Sequence, residues 1–163
     1  MAILDERLEF ADNVDVSASA GTALIGDVID LGAAGEDLGN GQPLYLVLRT
    51  GSTEIITGGS AGTLQFTLAS DSAAAIATDG TATEHVLTEA FVTDDAAAND
   101  TEMNAGELIY SAPIPVGTGG NYERYLGILA ITATTTTTAG TVNAYLTLDP
   151  NTAGGKTYPD AIN

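Results

Sequence analysis

Few residues in this chain can do acid–base or nucleophilic chemistry. It holds one histidine, His85, next to Glu84, and no cysteine. An activated Ser or Thr needs a base beside it, so a triad would have to use His85. No Gly-x-Ser-x-Gly elbow accompanies it. The expected role of His85 is that of an ordinary strand histidine, exposed or hydrogen-bonded. A zinc site needs several His or Cys ligands, and this inventory excludes one. Oxygen ligands are plentiful: Asp94, Asp95, Asp100 and Glu102 form one cluster, and Asp12 with Asp15 another. Neither follows EF-hand spacing. A solvated loop is the favoured reading, with a structural calcium as the alternative. Paired carboxylates could serve glycoside hydrolysis, but among 22 acidic residues chance supplies such pairs. No phosphate-cradling Gly-rich loop precedes a helix. The expectation is a protein with no enzymatic activity and no cofactor.

Charge narrows the partners. The chain has 22 Asp plus Glu against 4 Lys plus Arg, for a formal charge of −18. A nucleic-acid surface needs clustered bases that release counterions, yet Arg7, Arg49, Arg124 and Lys156 are scattered. An anionic membrane is disfavoured for the same reason. The acidity serves solubility or a saline setting, or it meets a basic partner surface or divalent cations. The first residues, Met1 to Glu6, lack the basic and apolar regions of a signal peptide. The longest apolar stretch, Leu126 to Ile131, is far short of the ~20 residues that span a bilayer.

The elements that position these residues read as strands. Apolar residues alternate with period two in segment after segment. Ile3 to Phe10 is a first strand or an N-terminal arm. Ala23–Leu31, Pro43–Arg49, Thr63–Ala69, His85–Val92, Glu107–Ile114, Tyr122–Thr132 and Gly140–Leu148 follow. Leu44, Leu46 and Leu48 share one face; so do Leu64, Phe66 and Leu68; so do Val142, Ala144, Leu146 and Leu148. Gly39-Asn40-Gly41, Gly58-Gly59, Asp79-Gly80 and Gly117 to Asn121 supply turns. Asp71 to Ile76 begins with good N-cap residues before an Ala run and reads as a short helix. Asp94 to Met103 reads as an exposed loop, and Thr134 to Thr138 as a strand end or hairpin tip. The expected fold is all-β: a jelly roll or two-sheet sandwich of about eight strands in one domain over 1–163. Residues 1–10 form its arm or first strand. Residues 149–163 form an extended C-terminal tail, whose Tyr158 and Ile162 must bury against the barrel or a neighbour.

Three stretches carry a resemblance. They are Leu68 to Ser72 running through Ile76 to Gly80 and on to Glu84-His85; Pro113-Ile114-Pro115 with Tyr122 to Ile128; and Ala144 to Pro150 with Tyr158-Pro159-Asp160. Leu4-Asp5 to Phe10 and Val28 to Gly32 fit as well. In order and spacing the chain resembles the capsid cement proteins of tailed bacteriophages, the Bbp16-like structural family. One departure is that Gly154 to Thr157 stands where relatives often carry a Trp ahead of the tail tyrosine. The resemblance implies a jelly roll on the outer surface of an HK97-type head, made in the host cytoplasm, without enzymatic activity. It implies the major capsid protein as partner, with self-association as a homodimer or higher. Interface contacts are expected from Ile3, Leu4, Leu8 and Phe10 of the arm and from Tyr158 and Ile162 of the tail. Arg124, between Tyr122 and Tyr125, either pairs locally to hold a strand in register or meets the capsid. The alternative function is a glycan-binding or adhesin-type jelly roll on a virion or cell surface.

Overall fold

The computed structural model describes residues 6–32, 38, 41–59, 61–93, 101, 103–116 and 122–150. A 3-10 turn at Glu6–Leu8 leads into ten strands: β1 Glu9–Asp15, β2 Gly21–Asp30, β3 Tyr45–Thr50, β4 Ile56–Thr57, β5 Thr63–Asp71, β6 Thr83–Leu87, β7 Leu108–Pro113, β8 Tyr125–Ala133, β9 Thr137–Ala139 and β10 Thr141–Thr147. No α-helix occurs among the described residues. All pairings are antiparallel. One sheet runs β1-β10-β3-β7, the other β2-β8-β5-β6, and β4 and β9 form a small two-stranded ribbon. With the ribbon set aside, successive strands alternate between two four-stranded sheets except at the β5–β6 hairpin, which stays within one sheet, and this is the winding of a jelly roll.

Period-two alternation generates the core. Leu64, Phe66 and Leu68 of β5 are 0% exposed, while Gln65 between them is only half-buried. They meet Leu44, Leu46 and Leu48 from the opposite sheet, together with Leu126, Ile128, Val142, Ala144 and Leu146. Each fully buried side chain of this kind contributes about 1.5–3 kcal/mol of transfer free energy, so the two inner faces drive closure. Val47 and Tyr145, cross-strand partners on the other face of their sheet, are buried as well.

A second, smaller cluster lies on the outer face of the β2-β8-β5-β6 sheet. Ile76, from the β5–β6 connection, packs with Ala69 and Leu129 against Leu24, Val28 and Ala82. Gly127 makes the room: a Cβ there would lie 2.6 Å from Ile76 Cδ1 and 3.0 Å from Leu24 Cδ1. The helix expected over Asp71 to Ile76 does not form. The Asp71 carboxylate accepts the amides of Ala73 (3.1 Å) and Ala77 (2.9 Å). This local side-chain bonding competes with a helical ladder and bends the chain so that Ile76 points down.

The first strand begins later than alternation suggested. Residues 6–8 form the 3-10 turn, and β1 runs Glu9–Asp15 with irregular register against β10. Phe10 and Ala11 are both buried despite being adjacent, because the register shifts between Glu9 and Ala11. Asn13 adopts a left-handed φ of 53°. Its Oδ1 accepts Ser52 N–H at 2.7 Å and the Thr141 hydroxyl at 2.8 Å, tying β1 to two neighbouring segments. β1 and β2 meet where the sandwich closes: the Gly26 backbone sits against the Phe10 carbonyl, with φ +63° and no space for a Cβ. Thr134, at φ 71°, turns the threonine run into β9.

Candidate functional site

The chemistry-bearing residues meet at one end of the β5–β6–β8 sheet. Ser70 is the penultimate residue of β5, His85 is central in β6, and Tyr122 and Glu123 precede β8. Ser70 Oγ lies 2.7 Å from His85 Nε2 and accepts the Glu123 amide at 3.0 Å. The His85 and Tyr122 rings stack at 4.1 Å between centroids. Tyr122 is buried, and its hydroxyl donates to the Pro115 carbonyl at 2.7 Å. Thr83 Oγ1 donates to Glu123 Oε1 at 2.9 Å. Burial pushes the His85 imidazole below its usual value, against the opposing charge of Glu123.

Serine, histidine and glutamate are the residue types of a hydrolytic triad, but their arrangement here is that of a latch. Ser70 is 0% exposed, so its oxygen cannot meet a substrate unless β6 moves away. Ser70 Oγ already accepts one amide. Donating its hydroxyl to Nε2 satisfies both groups, which requires the neutral histidine to carry its proton on Nδ1. The network joins β5, β6 and the approach to β8. His85 is the hydrogen-bonded strand histidine expected from sequence.

Arg124 pairs locally. Its Nε and Nη2 donate to Asp30 Oδ1 and Oδ2, each at 2.9 Å, and its guanidinium carbon lies 5.0 Å over the Tyr125 ring. The Arg124 carbonyl accepts Leu31 N–H at 2.8 Å. The guanidinium bonds, with Gly32 N–H, hold the Asp30 carboxyl down at about 2, and the same pairing raises Arg124. Because Asp30 faces Tyr125 in the ladder, this fork fixes the register where β2 and β8 end. Both side chains remain nearly half exposed.

The proposed interface residues divide. Ile3, Leu4, Tyr158 and Ile162 lie outside the described residues. Leu8 is half-buried and packs on the core. Phe10 is 1% exposed. Its side chain belongs to the core rather than to an exposed arm, because β1 and not a free arm holds it. The residues that sequence reasoning missed are exposed leucines and a valine: Leu87 at 50%, Leu108 at 56%, Val116 at 43% and Leu148 at 54%. Leu148, placed by alternation with Val142 and Leu146, falls beyond the end of β10 at Thr147. Leu87 and Leu108 sit on β6 and β7, the outer strands of their sheets. Apolar alternation carries no signal of edge position.

Among the described residues no group of three His, Asp or Glu gathers as metal ligands. Asp15 is occupied by the amide and hydroxyl of Ser17, which lower its carboxyl. Asp94, Asp95, Asp100 and Glu102 lie outside the described residues. One cleft of about 290 Å³ follows the β1–β2 seam, lined by Glu9, Asp12 and Asp27, with buried Phe10 as its sole aromatic. Another of about 270 Å³ is lined by Asp15, Ser17, Thr53 and Thr141.

The family model described as Bbp16 matches residues 10–146. The chain belongs to the Bbp16 family. The matched span starts in β1 and ends in β10, so it covers the jelly roll and leaves both chain ends outside. No curated protein matches the chain. Family membership and the β-rich fold fit a structural protein.

Proposed function

We propose that this protein is a non-enzymatic cement protein of a tailed-phage head. It binds the outer surface of an HK97-type shell, bridges major capsid protein subunits and stabilises the lattice. Membership of the Bbp16 family carries the reading, through the likeness of its sequence motifs to phage cement proteins. The jelly roll supplies a rigid body. Glu9 pairs with Tyr145, so the start of β1 lies beside the end of β10. The chain therefore enters β1 and leaves β10 at one corner of one sheet. Extensions leaving a common corner can reach two neighbouring subunits while the body stays fixed. Each contact is weak, and repetition over a closed shell makes them cooperative through avidity. Copies on the lattice associate with one another as homodimers or larger groups.

The buried Ser70 and its latch support a non-catalytic role. A glycan-binding module would want exposed aromatic platforms, and the clefts described here offer none. Mass spectrometry of purified virions from the encoding phage tests the proposal directly. The chain is expected in stoichiometric amount, with density on the outer shell by cryo-electron microscopy. Its absence from the virion would overturn the reading.

A further inference from the structure

Among the described residues the two sheets close on one side and not on the other. β1 and β2 meet at Gly26 and Phe10. No comparable approach joins β6 to β7 among the described residues. Among the described residues β7 is an outer strand that pairs with β3 alone. None of its six residues is fully buried.

The ladder fixes which backbone groups of β7 are spent. Ile114 N–H donates to the Leu44 carbonyl at 2.8 Å. Antiparallel alternation then directs Ala112, opposite Leu46, toward β3, and turns Ser111, opposite Val47, outward. Natural sheets protect such an edge with lysine, proline or a bulge. β7 has a register shift near Leu108 and a proline at its last position, but no lysine. Its exposed side chains are Leu108, Ser111 and Pro113, with Val116 just beyond. Glu107 precedes them, exposed, and Glu84 and Glu89 flank the other open edge. Arg49, paired with Leu108 across the ladder, donates to the Gly106 carbonyl at 2.6 Å.

We infer that the outer edge of β7 is a docking strand for an extended segment of a partner protein in which apolar residues alternate with Lys or Arg. Main-chain bonds to Ser111 supply affinity, and Leu108 and Val116 take the apolar side chains. Glu107 and the overall charge of −18 select a basic occupant. A second copy is a poor one, since it brings the same charge and no base within its own β7. The inference rests on the cement reading, where the partner segment belongs to the capsid subunit.

The test uses Ser111→Pro, which removes the outward N–H and leaves the β3 ladder intact, and Leu108→Lys. Leu87→Lys on β6 is the control. Melting temperatures verify folding. Binding to shells lacking this protein is measured beside NMR titration with a synthetic peptide alternating valine and lysine; a valine–glutamate peptide is the counter-probe. The expected result is a loss of shell binding of about tenfold or more for both β7 variants but not for Leu87→Lys. The Ser111 amide should shift only with the lysine peptide. Wild-type binding matched within twofold by both β7 variants overturns the edge assignment and leaves the cement reading standing. If the wild-type protein does not bind shells, the cement reading fails and the peptide decides the edge. A shift at Ser111 then upholds it; no shift, or an equal response to the glutamate peptide, overturns it. A dimer in solution abolished by Leu108→Lys also overturns it, because the occupant is then a second copy.

Discussion

Ser70→Ala removes one oxygen and leaves two groups without their partner. Glu123 N–H loses its acceptor at 3.0 Å, and His85 Nε2 loses its neighbour at 2.7 Å. An unsatisfied buried polar group costs roughly 1–3 kcal/mol. Water can reach the half-buried His85 ring and the part-buried amide, so each belongs at the low end, about 2–3 kcal/mol together. At about 2–4 °C per kcal/mol for a domain of this size, the melting temperature falls by roughly 5–10 °C. His85→Phe keeps the stack on Tyr122 and removes the nitrogen, so the double variant should show a coupling of about 1 kcal/mol. The latch also has a pH signature. Protonation of Nε2 would make it a donor and leave the Ser70 hydroxyl without its acceptor. The folded-state value lies below the usual 6.5, chiefly through burial. Below 6.5 the unfolded chain takes up the proton before the folded one does. The His85 contribution is therefore full above 6.5 and is lost as pH falls toward the folded value. Denaturant melts of wild type and both variants between pH 7 and 5 measure all of this. A Ser70→Ala cost below about 0.5 kcal/mol, or an unchanged pH slope in His85→Phe, would refute the latch; the first threshold is the scatter of ordinary surface substitutions.

Three other perturbations probe separate parts of the fold. Thr50 is 0% exposed and its hydroxyl has no hydrogen-bond partner; Thr50→Val should raise stability by about 1 kcal/mol by denaturant titration. Gly127→Ala drives a Cβ toward Ile76 Cδ1 and should cost roughly 1–3 kcal/mol; adding Ile76→Val removes the clashing atom and should recover part of the loss in the same melts. Asp30, at about 2 in the folded state, contributes stability above its usual 3.8 that is lost as pH falls through 2. Asp30→Asn should flatten the acid limb between those values and change little at pH 7, as exposed ion pairs do, when followed by circular dichroism.

The jelly roll was legible because large apolar residues recur at every second position on both inner faces: Leu44, Leu46 and Leu48 face Leu64, Phe66 and Leu68 across the core. What alternation missed has a physical cause in each case. Ile3 to Phe10 was read as a first strand or an arm, and β1 itself, Glu9–Asp15, was not seen because a register shift buries Phe10 and Ala11 in succession and breaks the alternation there. Tyr122 and Arg124 were assigned to a strand that begins only at Tyr125. An aromatic buried by a loop contact looks, in sequence, like one buried by a sheet. The helix expected after Asp71 failed because the same carboxylate that caps a helix can bind two amides of a bent loop. The small ribbon of β4 and β9 is too short to show a period. At the candidate site, Arg124 was recognised but its partner Asp30 was not, since 94 residues separate them. Ser70 carried no signal; only the pairing of β5 with β6 brings it to His85.

The few basic residues are largely used within the fold. Arg124 is engaged with Asp30 and Arg49 with the Gly106 carbonyl, so two of the four basic residues are already committed within the fold. The carboxylates that remain give a surface field with little internal compensation. At physiological salt that field is screened within about 8 Å, so it acts at contact and not at long range. On the cement proposal, a partner would have to bring its own basic groups into the seam where it docks. The hydrogen-bonding capacity of Ser70, His85 and Tyr122 is turned inward, and that of Asp30 is spent on Arg124 at the surface, so that these groups hold β5, β6, β2 and β8 in register. On the proposed reading, recognition would then fall to what the described sheets leave exposed, the outer edge of β7. β7 lies inside the span 10–146 that matches the Bbp16 family model, but none of its six residues is fully buried, so substitutions on its exposed side chains test recognition without touching the buried core.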